Sequence, residues 1–323
     1  MKRLRHDDRL TGVDLARAIA ILAVIWVHTT DISSGAYGVQ LFFMISGFLL
    51  AEFGDDYTAG RFILKRFLRL FPLSILMTVF FISNYSSVFE LFLSLLLVNG
   101  LSTGIYTFPG AWSISSEWIY SWLNLTLRKL NFRSRVCIII TLSLFGILID
   151  SYCYLTNSTL GSFQSFGYLI SYFSFFLMGN ILRTQKRPEL PRIMQRKTFL
   201  CIVLIPLFGI STALPQIFYL LLLTIIFSTC LQMEFHSSVS KRLIHFIGKR
   251  TYGIFCGHFI ILYFLDSTEL LSSFQENFGA ISQFLLFILI LLISLLIGSA
   301  TYKCIERPFI RLSHKVKPEQ KKS

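Results

Sequence analysis

Residues 17–28 read RAIAILAVIWVH, ten apolar residues with an arginine at one end and a histidine at the other. Widened to residues 12–30, GVDLARAIAILAVIWVHTT, the run is long enough to cross about 30 Å of hydrocarbon as one helix. The basic start MKRLRHDDRL is followed by a full span without a small-residue cleavage site, so a retained first helix is expected, not a signal peptide. At 100° per residue, Arg17 and His28 fall about 20° apart around that helix and about 16 Å apart along it. Both therefore line one face. Ionisable groups inside a membrane cost about 3 kcal/mol or more and usually face a partner or a wet cavity. Asp14, one turn before Arg17, offers a local partner, and a histidine near a helix end can rest at the interface. On this helix alone, pairing and function stay open.

The remaining chain has the same character. Of its 323 residues, 54% are hydrophobic and 15% charged, against about 25% charged in soluble domains. Apolar stretches recur from residue 12 to residue 303 and leave no room for a separate soluble domain. One all-α, polytopic membrane unit is expected, with residues 1–11 as a cytoplasmic N-terminus, 12–303 as a helix bundle and 304–323 as a basic cytoplasmic tail. The six cysteines, at 137, 153, 201, 230, 256 and 304, stand singly with no CxxC spacing, which argues against disulfide and metal frameworks. The net charge of +13 is divided among membrane segments and forms no continuous groove for nucleic acid.

Topology accounts for that charge. Clusters at 2–9, 61–69, 128–135, 183–197, 241–250 and 303–322 hold 29 of the 30 lysines and arginines, and the connections at 29–36, 84–110, 153–164, 214–216 and 266–280 hold none. By the positive-inside rule the clusters are cytoplasmic, and two basic termini require an even number of crossings. Eleven apolar segments are visible. The conflict falls between VFELFLSLLLVNGL and AWSISSEWIYSWLNL, within residues 87–127, where one segment must be re-entrant or partly submerged. About ten spans result. The others lie near 12–30, 37–53, 70–84, 136–152, 165–182, 198–213, 217–233, 251–265 and 281–303. RFILKRFLRL, at 61–70, is read as a basic amphipathic segment on the inner surface, with the third helix starting at Pro72.

Arg17 is the one basic residue outside the clusters. Other polar groups also sit inside spans. AWSISSEWIYSW sets Glu117 among Trp112, Ser113, Ser115, Ser116 and Tyr120, where a carboxylate needs a partner or a proton. TYGIFCGHFIIL puts His258 about 12 Å into its span. In GVQLFFMISGFLL, Ser46 and Gly47 suit close helix packing.

These pieces, in this order, resemble the acyltransferase-3 family of membrane acyltransferases. RLTGVDLARAIAILAVIWVH is similar to its opening helix, with the arginine and histidine spacing of Arg17 and His28. GVQLFFMISGFLL resembles its second helix, KRFLRLFPL its basic stretch before a proline, AWSISSEWIY its W-S-x-x-x-E motif, GKRTYGIFCGHFII its late helix with an internal histidine, and CIERPFIRL its closing E-x-P element. Trp118 stands where many relatives carry a second acidic residue, and Lys65, Arg66 and Arg69 replace an Arg-x-Arg pattern.

The resemblance implies transfer of an acyl group, most often acetyl from acetyl-CoA, to a hydroxyl of a cell-envelope or extracellular polysaccharide sugar, by a multi-pass protein of the cytoplasmic (inner) membrane. The partners implied are an acyl-CoA donor, a glycan or lipid-linked sugar acceptor and membrane lipid. Lys65, Arg66 and Arg69 would bind the coenzyme A phosphates. Arg17 would orient the acyl carbonyl, and His28 would act as general base or take the acyl group itself. Glu117 would orient His28 or bind acceptor hydroxyls, with Trp112, Ser113, Tyr120 and His258 as acceptor contacts. A transporter or flippase of an envelope lipid or glycan is the alternative, since it too needs buried charge on a central path.

Overall fold

In the computed structural model, the described residues are 6–30, 37–51, 58–84, 87–98, 110–127, 129–156, 162–184, 216–268 and 281–315. Among them there is no β-strand; nearly all are helical. The expected span at 198–213 lies outside the described residues. The chain divides into two compact units, one of residues 1–45 and 188–302 and one of residues 46–187 and 303–323.

The first unit is built on α1 (His6–Thr29), with the start of α2 (Gly38–Leu50) and the later helices α8 (Gln216–Gln232), α9 (Ser238–Gly248), α10 (Thr251–Ser267) and α11 (Ser282–Thr301). α1 packs on α8, α9, α10 and α11. Its alanines at 16, 18, 20 and 23 are buried, and small side chains let backbones approach closely where lipid supplies no hydrophobic drive. The closest approach is at Gly12, where an added Cβ would collide with the Cys230 carbonyl of α8.

The second unit contains the end of α2, then α3 (Ala59–Phe80), α4 (Val88–Leu95), α5 (Ala111–Leu127), α6 (Phe132–Thr156), α7 (Ser162–Thr184) and α12 (Arg307–Lys315). α6 and α7 pair along their lengths, α5 packs on α3 and α7, and α12 lies on α3. Gly47 of α2 meets the Phe176 carbonyl of α7, which is the packing role its sequence predicts.

Two boundaries differ from expectation. The third helix does not start at Pro72; α3 is a single helix of 22 residues with Pro72 in its interior, and the basic stretch is its first half. A proline removes one backbone hydrogen bond, and neighbouring helices in a membrane bundle hold such a helix together. α4 has only 8 residues, about 12 Å, so the described part of 87–101 is no full span, which agrees with the expectation that one of the two segments within 87–127 does not cross. Leu97 ends it with a positive φ of 57°. The last helix does not end at residue 303, because the chain stays helical from Ser282 to Ser313. A π-helical turn, Tyr302–Glu306, interrupts it just before Pro308. Pro308 cannot donate to the preceding turn, and the widened turn absorbs that loss.

Three described helical stretches are long and apolar enough to cross a membrane: Thr11–Thr29, Phe132–Ile149 and Ser282–Ser313. Gly38–Leu50, Gln216–Gln232 and Thr251–Ser267 are shorter apolar helices. The outward faces of α6 and α11 carry leucines such as Leu148 and Leu296, 67% and 72% exposed. Rows of this kind, continuous along whole helices, need lipid as their solvent.

Candidate functional site

In the first unit, two polar groups occupy α1. Near its start, Arg17 Nη1 donates to Asp14 Oδ1 at 2.8 Å, the one-turn pairing that the helix period allows. Asp14 has a second partner from far along the chain: His245 Nδ1 of α9 lies 2.7 Å from Oδ2. His245 Nε2 is in turn 3.1 Å from Thr11 Oγ1. Gly248 closes the seam, since an added Cβ there would run into Asp14. Arg17 is thus a held charge, fixed by a carboxylate that a second helix also grips. Neither His245 nor Thr11 stands out in the sequence, because 231 residues separate His245 from Asp14.

About 16 Å along the same helix, the exposed His28 ring packs against α10. Its centroid is 5.4 Å from that of His258 and 5.1 Å from that of Phe259. His258 is wholly buried, and neither ring nitrogen makes a geometrically sound hydrogen bond to a described residue. Phe255 and Phe259 flank it. Two imidazoles thus meet in an aromatic setting, one accessible and one enclosed. Phe255 is one helical turn before His258 and Phe259 follows it directly, but only the tertiary fold brings His258 to His28.

The second unit holds the other cluster. Glu117 Oε1 of α5 accepts from Ser46 Oγ of α2 and from Arg66 Nη2 of α3, each at 2.6 Å. Arg66 Nε also donates to Ser121 Oγ at 3.1 Å, and Ser121 donates to the Glu117 carbonyl at 2.7 Å. The carboxylate therefore has the partner its sequence demands, and Ser46 serves it as a donor in addition to lying next to the packing residue Gly47. Of the three cations grouped in the sequence, Arg66 is buried against Glu117, Lys65 is half-buried and Arg69 is exposed.

The remaining residues of AWSISSEWIY face several environments. The Ser113 hydroxyl donates to the Gly110 carbonyl at 2.8 Å, and the buried Tyr120 hydroxyl donates to the Leu169 carbonyl at 2.5 Å. Trp112 is half-buried, its ring 6.0 Å from that of Tyr172. A further polar chain joins α5, α6 and α7: Asn180 Nδ2 donates to Asn124 Oδ1 at 3.3 Å, and Arg135 Nη1 donates to Asn180 Oδ1. It buttresses this unit, and nothing in the local sequence signals it.

Lipid-facing apolar helices that carry paired charges and imidazoles mark a membrane protein. A family model described as an acyltransferase domain matches residues 10–303, and the chain belongs to that acyltransferase-3 family. No curated protein and no solved structure matches it.

Proposed function

We propose that the protein is a multi-pass enzyme of the cytoplasmic (inner) membrane that transfers acetyl from acetyl-CoA to a hydroxyl of a cell-envelope or extracellular polysaccharide sugar. The observation that carries this reading is the His28–His258 pair at the end of a helix that also holds Arg17, in a chain of an acyltransferase family. His28, exposed on one side, removes the proton from the acceptor hydroxyl as its oxygen attacks the thioester carbonyl carbon. The carbon–sulfur bond then breaks, and the proton held on His28 passes to the departing thiolate.

Arg17 supplies a fixed positive charge for the donor, and its ion pair with Asp14 sets where that charge lies. Lys65 and the exposed Arg69 are assigned to the phosphates of coenzyme A. Arg66 has a different duty: it holds Glu117, which binds acceptor hydroxyls within its own cluster. Trp112 keeps its assignment as an acceptor contact. The partners are then an acyl-CoA, a glycan or lipid-linked sugar, and membrane lipid.

The test compares envelope glycans from cells carrying the wild type and His28→Ala by mass spectrometry and NMR. Loss of one sugar ester is expected in the variant. Unchanged glycans, with the variant present at its normal level in the membrane, refute the assignment. Glycan movement across vesicles without acyl-CoA, unaffected by His28→Ala, would establish a transporter instead.

A further inference from the structure

We propose that α9 is a membrane-interface helix whose apolar face is embedded in anionic phospholipid while its opposite side is latched to α1 through His245. The helix has 11 residues, about 16 Å, too short to cross a bilayer. Val239, Leu243 and Phe246 fall within an arc of about 60° on it, and they are 64%, 59% and 41% exposed. His245 and Gly248 lie on the opposite face, one bonded to Asp14 and the other seated against it. A surface helix of a soluble protein turns its apolar stripe to the core. Here His245 and Gly248 point inward and the apolar stripe outward.

Charge identifies the occupant. Residues 238–250 contain Lys241, Arg242, Lys249 and Arg250 and no acidic residue. The Arg250 guanidinium lies 3.8 Å from the centroid of the Phe246 ring and Nη1 donates to the Phe246 carbonyl at 2.8 Å, so a cation caps one end of the stripe. An apolar stripe edged by cations matches acyl chains beneath anionic head groups. A second copy of the same helix would set like charges together. Because Asp14 is shared by His245 and Arg17, the lipid-facing helix and the α1 cation answer to one carboxylate.

The full-length protein, in vesicles of phosphatidylcholine with phosphatidylglycerol, is labelled with a nitroxide at Val239→Cys or Leu243→Cys after replacement of the native cysteines. A label at Lys249→Cys is the reference. The labels at 239 and 243 should collide with oxygen several-fold more than with a nickel chelate and report a depth of about 5–10 Å, whereas the label at 249 should favour nickel. Hydrogen exchange of residues 238–248 in the unaltered protein should slow several-fold when phosphatidylglycerol is added to phosphatidylcholine. Nickel access at 239 and 243 equal to that at 249 overturns the proposal. So does spin–spin broadening that vanishes on dilution with unlabelled protein, which would mean that a second copy covers the stripe. Depth and exchange indifferent to phosphatidylglycerol overturn the anionic partner.

Discussion

Replacing Arg66 with methionine would leave the Glu117 carboxylate with Ser46 as its remaining side-chain donor. The pair is close, with Arg66 Nη2 2.6 Å from Oε1, and its two side chains are 7% and 23% exposed. Removing one partner of a buried ion pair costs about 3–5 kcal/mol. The partial exposure of Glu117 and its bond from Ser46 put Arg66→Met near the lower end, about 3 kcal/mol. Glu117→Gln keeps an acceptor for Ser46 and leaves the guanidinium with Ser121, at a cost of about 2 kcal/mol. The double variant strands no charge and should lose only about 1–2 kcal/mol, well short of the sum that independent sites would give.

The assay is thermal unfolding in one detergent, followed by the loss of helical circular dichroism. At about 2 °C per kcal/mol for a chain of this size, Arg66→Met should lower Tm by about 6 °C and the double variant by about 3 °C. A double variant that falls by the full sum, about 10 °C, would refute the coupling. An Arg66→Met Tm within about 1 °C of wild type would refute the buried pair itself.

The same assay bears on the helix contacts. Gly12→Ala should lose about 2 kcal/mol because its Cβ would strike the Cys230 carbonyl. Gly60→Ala, with nothing within 4 Å of the added Cβ, should be neutral or gain about 0.5 kcal/mol. Equal melting temperatures for these two variants would contradict the packing. Tyr120→Phe should cost about 1 kcal/mol through its lost bond to the Leu169 carbonyl and leave the acceptor KM unchanged; a KM raised about tenfold, which is about 1.4 kcal/mol, would return Tyr120 to acceptor binding. His245→Ala should lower stability by about 1–3 kcal/mol by taking one of Asp14's two partners, and an unchanged Tm would show the seam to be idle. His28→Ala should slow acyl transfer at least about 100-fold while Tm moves by no more than about 1 °C, measured on purified protein with labelled acyl donor and isolated envelope glycan.

Composition and apolar run length made the membrane helices legible, and the helix period placed Asp14, Arg17 and His28 on α1 correctly. The partner required by Glu117 was legible as a need, since a carboxylate in an apolar segment cannot stand alone. Its identity was not, because Arg66 lies in a basic stretch that ordinary positive-inside charge explains equally well. His245, and the donor role of Ser46, were hidden for a related reason: sequence separation carries no information about which helices pack. Pro72 misplaced a boundary because the rule that proline stops helices is drawn from water, where no neighbouring helix holds the broken turn. The π turn at Tyr302–Glu306 depends on Pro308 acting backwards on the preceding turn, and hydropathy does not register it.

The Asp14–Arg17 pair also bears on how the chain reaches the membrane. A lone arginine within a span opposes insertion, by up to about 2.5–3.5 kcal/mol at its centre. Its acidic partner here lies on the same helix, three residues earlier, so the pair can form as soon as α1 is helical, before any other helix exists. His245 is synthesised more than two hundred residues later and finds that carboxylate already in place. The first segment can thus enter the bilayer as a neutralised unit, with the seam to α9 added after synthesis has passed the middle of the chain. An α1 carrying Asp14→Asn should therefore insert less efficiently by itself, in a translocation assay that contains none of the later helices.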